Sequence, residues 1–211
     1  MSQVTITSPR DWQEHDLSLA ARLGMWIFLA TEILFFGGIF CAYAVLRYLN
    51  PVGFGIGGHE TEILYGALNT FVLATSAVTM TMAAKAADGA DYRLIRIGLI
   101  ATFALGVLFL ALKGMEYHDD IVHHLVPGHH FALADPSAEM FWGFYWVLTG
   151  LHAIHMSVGL VIIGRAYWLT RQNLKLDELR RNLDVSSLYW HLVDCIWFVI
   201  FPVIYLAGRS G

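Results

Sequence analysis

The sequence predicts an all-α fold, a polytopic membrane bundle of five transmembrane helices with its N-terminus inside and its C-terminus outside. Three observations carry this reading. Of 211 residues, 57% are hydrophobic and 14% charged, whereas soluble domains run at roughly 45–50% and 25%. Five stretches, near 23–46, 62–84, 94–115, 140–168 and 188–208, reach the ~20 mostly apolar residues that cross a roughly 30 Å hydrocarbon layer. The basic residues are also unevenly placed between them. Arg10 and Arg22 precede the first stretch. Lys85, Arg93 and Arg96 follow the second, and Arg165, Arg171, Lys175, Arg180 and Arg181 separate the fourth from the fifth. Only Arg47, Lys113 and Arg209 fall on the opposite side, and the positive-inside rule then sets the orientation.

No break in composition marks a second unit, so 1–211 reads as one membrane domain with a short interfacial segment at 1–21. Ser8-Pro9-Arg10-Asp11 has the form of a helix start, with Ser as N-cap and Pro at the first helical position. A short interfacial helix carrying Trp12 is expected to lead into the first span. That span is too long for the apolar region of a secretion signal and carries Glu32 within it, so it reads as a permanent helix. Cys41 and Cys195 lie inside apolar spans and read as small hydrophobes. The connection 116–139 holds no Lys or Arg but five histidines, His118, His123, His124, His129 and His130, beside Asp119-Asp120. With Pro127-Gly128 in the loop, no Cys and no tight ligand spacing, surface histidines are favoured over a structural metal site. Arg47, Lys113 and Arg209 read as solvated or headgroup-facing charges with no role. The basic residues flank spans and form no separate patch, so nucleic acid is not a partner.

Ionisable groups at membrane depth cost several kcal/mol unless they face the bundle, lipid headgroups or water. Glu32 lies about 15 Å along the first span from Arg22 at 1.5 Å per residue. His152 and His155 sit near the middle of the fourth span, where a spacing of three places them on one helix face. His191 and Asp194 repeat that spacing in the fifth, and Glu116 ends the third. One reading is mutual satisfaction across helix interfaces, with Asn69, Thr70, Thr75, Ser76 and Thr79 of the second span as partners. A haem or binuclear metal centre needs matched histidines on more than one deep helix, and only the fourth span offers a deep pair. No metal site is therefore expected in this chain.

These residues resemble a known family. Arg22-Leu-Gly-Met-Trp-Ile-Phe-Leu-Ala-Thr-Glu32-Ile-Leu-Phe-Phe-Gly-Gly is similar to the glutamate-bearing helix of subunit III of haem–copper terminal oxidases. Leu68-Asn-Thr, with the Thr-Ser run that follows, and Gly114-Met-Glu116-Tyr117 match the next two helices. Thr149-Gly-Leu-His152-Ala-Ile-His155 and Tyr189-Trp-His191-Leu-Val-Asp194 resemble the family's most distinctive signatures. The five matches stand in order and cover nearly the whole membrane portion, in the short five-helix bacterial form. Ahead of Tyr189 this chain reads Arg180-Arg181-Asn-Leu-Asp184, where longer relatives carry a histidine and a glutamate.

The resemblance implies an accessory, cofactor-free subunit of a proton-pumping oxidase that reduces O2 to water in aerobic respiration, located in the bacterial cytoplasmic (inner) membrane. Haem and copper would reside in subunits I and II, its partners. It implies proton-related or buried ionisable roles for Glu32, Glu116, His152, His155, His191 and Asp194, and no catalytic residue. It further implies bound phospholipid in a cleft between two helix groups, with Trp26, Glu32, His155 and Arg171 as lipid contacts. Glu32 with Leu68-Asn-Thr is closer to cytochrome c oxidases than to quinol oxidases. A subunit associated with quinol oxidation or nitric oxide reduction is the related alternative. A stand-alone proton-coupled transporter is the alternative of another class, although internal repeats and broken helices are not evident.

Overall fold

The computed structural model describes residues 9–172 and 176–207. Six helices follow in order: α1 (Pro9–Leu49), α2 (Pro51–His59), α3 (Ile63–Asp88), α4 (Tyr92–Val122), α5 (Pro136–Leu169) and α6 (Leu176–Phe201), which ends in a π-helical turn at Pro202–Leu206. Five of them are long and apolar enough to cross a membrane, and no strand occurs among the described residues. Helices satisfy their backbone groups internally, which is what a spanning segment requires where no water can. The chain is a multi-pass membrane protein.

The helices run longer than the apolar stretches. α1 begins at Pro9 without a break, so the separate interfacial helix expected around Trp12 is the first part of one 41-residue helix; Ser8, its expected cap, lies outside the described residues, as do Lys175 and Arg209. α4 continues to Val122, two turns past the apolar stretch, because Lys113, Glu116 and Asp120 share its buried face. α6 starts at Leu176, and its first turns bury Leu179, Leu183 and Ser186 at helical spacing while Arg180 and Arg181 stay half-buried at its edge. α5 starts at Pro136, with the Asp135 side chain accepting from the Ser137 amide at 2.7 Å.

The short α2 is a tertiary construction. Five of the nine residues of its PVGFGIGGH sequence are not helix formers by propensity. It packs on α5, and a Cβ at Gly57 would stand 2.7 Å from Phe141 Cδ1 while one at Gly53 would overlap Ser137. Glycine is what lets the two backbones meet.

The core lies among α3, α4, α5 and α6, with α3 against α4 the most extensive contact. Trp190 seats in a notch where Cβ atoms at Gly106 and Gly159 would come within 2.8 and 3.0 Å of its ring. Its Nε1 donates to Ser76 Oγ at 3.1 Å. α1 packs more lightly, on α5 and α6, and leaves Ile27, Ile33 and Leu34 exposed to the surroundings.

Candidate functional site

Glu32 of α1 and His155 of α5 meet across the bundle, with Oε2 3.1 Å from Nε2. Both side chains are mostly buried. Nδ1 of His155 lies 2.8 Å from the Leu151 carbonyl, which only accepts, so Nδ1 carries a hydrogen. A single proton then occupies the contact with Glu32, on the imidazole as an ion pair or on the carboxyl as a neutral pair. Phe36 packs edge-on to the imidazole at 5.4 Å and shields it. The pair ties two helices together.

Beside it, α1 and α6 enclose an apolar groove of about 680 Å³, walled by Trp26, Ile33, Phe36, Phe40, Leu188 and His191 among others. Glu32 and His155 are not in that wall; they close the α1–α5 contact next to it, while Trp26, 59% exposed, stands in the wall and meets the surroundings. Arg171 is exposed on the turn after α5.

The two histidines of α5 serve different interfaces despite their shared spacing. His152 is fully buried with neither ring nitrogen hydrogen-bonded among the described residues. It is held between aromatic rings, Trp197 at 5.1 Å and Phe109 at 5.4 Å. Asp194 and Asn69 are buried and likewise without hydrogen-bond partners among the described residues. His191 stands 4.0 Å from Asp194 and 3.3 Å from Thr81. Of the polar residues of α3, Thr70 accepts from Trp197 Nε1 at 3.1 Å and Thr79 meets Thr102 at 2.7 Å. Thr75 turns back to its own helix, at the Phe71 carbonyl.

Lys113 departs from expectation. It is 1% exposed, inside the bundle and not at a headgroup. Its Nζ pairs with Glu116 at 3.0 Å and donates to Tyr205 at 2.8 Å and Tyr145 at 3.0 Å. The charge is compensated by a carboxylate and by four rings within 5.9 Å, including Tyr145 at 4.5 Å. Asp120, Tyr145 and Tyr205 were not legible as site residues. The one signal in the sequence is Lys113, Glu116 and Asp120 falling three, four and seven apart on a single helix face.

A family model described as cytochrome c oxidase subunit III matches residues 13–209. The chain belongs to that family. It is 30% identical over 184 residues to cytochrome c oxidase subunit 3 of Synechocystis sp., covering 87% of this chain and 74% of that one. It is 31% identical over 191 residues to quinol oxidase subunit 3 of Bacillus spizizenii, covering 90% and 88%. A heme-copper oxidase subunit I+III of Aeropyrum pernix shares 29% identity over 196 residues, 88% of this chain; the chain spans 22% of that protein's length. His155 has both nitrogens engaged, and His152 is wedged between the rings of Phe109 and Trp197. The histidines of the 123–130 segment are exposed, and no three His, Cys, Asp or Glu side chains converge among the described residues.

Proposed function

We propose that this subunit III supports, without catalysing, the reduction of O2 to water by a proton-pumping oxidase of the bacterial cytoplasmic membrane. It packs beside subunits I and II, which hold haem and copper. The observation that carries the proposal is the Glu32–His155 contact, a proton-sharing pair placed against an apolar groove. The pair keeps an exchangeable proton at membrane depth while a phospholipid chain fills the groove along Trp26 and Phe36. Arg171, on a basic turn, meets a lipid phosphate. Glu116, His152, His191 and Asp194 keep the surrounding interfaces polar and ordered.

Glu32→Gln tests this directly, because an amide keeps the hydrogen bond to His155 and abolishes proton exchange. The expected outcome in the purified complex is normal haem content and normal initial turnover, with activity decaying within fewer turnovers. Loss of haem would indicate an assembly role, and unchanged endurance would overturn the proposal.

Cytochrome c is the proposed electron donor, in line with the Glu32 and Leu68-Asn-Thr pattern and with the name of the Synechocystis relative. The Bacillus relative favours quinol as the second reading. Oxidation of reduced cytochrome c against quinol by the purified complex separates the two.

A further inference from the structure

The cluster around Lys113 has a proton count that does not close on its own. Three oxygen–oxygen contacts join it: Tyr205 to Glu116 Oε1 at 2.5 Å, Tyr145 to Glu116 Oε1 at 3.0 Å and Tyr145 to Asp120 Oδ2 at 2.5 Å. Each needs a hydrogen between its oxygens, and two ionised carboxylates supply none. The tyrosines supply two hydroxyl hydrogens. Lys113 cannot fill the third contact, since its ammonium already donates to both tyrosine oxygens and pairs with the other Glu116 oxygen. The network is one proton short.

The charges lead to the same count. Lys113, Glu116 and Asp120 are 1%, 2% and 5% exposed, and with both acids ionised they leave one uncompensated negative charge in the bundle. An uncompensated buried charge is strongly unfavourable. Glu116 is the acid that touches Lys113 and receives Tyr205, so it remains the anion. Asp120 is the one left for the extra proton.

We propose that Asp120, Tyr145, Glu116, Lys113 and Tyr205 form a buried proton-holding site, with the exchangeable proton on the Asp120 carboxyl. In the loaded state Asp120 donates to Tyr145 and Tyr145 donates to Glu116, which fills all three contacts and leaves Lys113 and Glu116 as a neutral pair. On unloading, the Asp120 proton passes to solvent at the end of the bundle that carries the histidine segment. The Tyr145 hydroxyl then rotates from Glu116 to Asp120.

The groups facing Asp120 are few. On α4 these are Lys113, Glu116 and the exposed Asp119, which accepts from Tyr65 of α3 at 3.2 Å. On α5 it is Tyr145, and beyond α6 it is Tyr205. Tyr117 turns away to Thr149 at 2.9 Å. The site is distinct from the Glu32–His155 pair and rests on this chain's own side chains, so it stands or falls separately from the oxidase reading.

Infrared spectroscopy of the purified complex tests it. Wild type should show a carboxylic-acid C=O band at neutral pH that disappears at high pH and shifts when aspartate is labelled with carbon-13. Asp120→Asn should lose that band, because its amide still donates to Tyr145 but cannot titrate. Glu116→Gln should lose it too, since Lys113 then draws the one remaining negative charge to Asp120. Tyr145→Phe, which removes the acceptor, should move the band without abolishing it, and it serves where Asp120→Asn does not accumulate. The proposal is overturned if the wild-type spectrum minus that of Asp120→Asn, in which the buried Asp194 cancels, holds no such band, or if that difference band is insensitive to labelled aspartate or unmoved in Tyr145→Phe.

Discussion

Lys113 illustrates what a single residue conceals in sequence. It stands at the end of an apolar stretch, where a lysine ordinarily reaches back to headgroups. Its tyrosine partners lie 32 and 92 residues further along the chain, so the only local hint that it turns inward is the acids Glu116 and Asp120 on its own helix face. Removing one member of a buried ion pair strands the other, at about 3–5 kcal/mol, whereas replacing both is close to neutral. Lys113→Met should therefore lower the thermal stability of the detergent-solubilised complex markedly, and Lys113→Met with Glu116→Gln should recover most of it. Equal loss in the single and double variants would mean that the pair is not coupled. Glu32 is the converse case: its carboxyl within an apolar helix was conspicuous in sequence, and what could not be read was that His155, 123 residues away, is the group it meets.

At the scale of the element, the long apolar stretches were legible because hydrophobic length is a strong and local signal. Those at 62–84 and 140–168 coincide with α3 and α5 to within four residues at each end. The extensions of α4 and α6 and the whole of α2 were not legible, because each depends on a partner. The polar end of α4 is helical where Tyr145 and Tyr205 receive it, and α2 is helical where Gly53 and Gly57 let it touch α5. The α3–α4 contact makes the same demand near the basic ends of those two helices. A Cβ at Gly98 would stand 2.8 Å from Ala83 Cβ and 2.9 Å from the Thr79 carbonyl oxygen, which is backbone and cannot swing aside. Small residues at such crossings supply the close packing that holds helices together in lipid. Gly98→Leu should push α3 and α4 apart and destabilise the subunit by about 1–3 kcal/mol or more, read as loss of this subunit from the complex on graded heating. Retention equal to wild type would show that the crossing tolerates a side chain.

For the whole molecule, folding sharpens the asymmetry of charge that the sequence displays. Arg180 donates to the carbonyls of Ala87 and Asp88 at 3.0 and 2.9 Å, and Arg96 to the Thr170 carbonyl at 2.7 Å. These contacts gather the basic ends of α3, α4, α5 and α6 at one end of the bundle. The other end carries Glu60, Glu62, Asp119, Asp135 and Glu139, and it has lost Lys113 to the interior. Because that lysine is compensated inside the protein, it no longer counts against the bias, and the positive-inside rule acts on a larger imbalance than the linear sequence shows. The orientation expected is therefore basic end and N-terminus in the cytoplasm, and C-terminus on the far side. A reporter active only outside the cytoplasm, fused after Gly211, should be active, and the same reporter placed in the turn between α3 and α4 should be silent. The reverse pattern would invert the molecule and place the Asp120 site on the cytoplasmic side, where it would exchange with the pool from which protons are taken up.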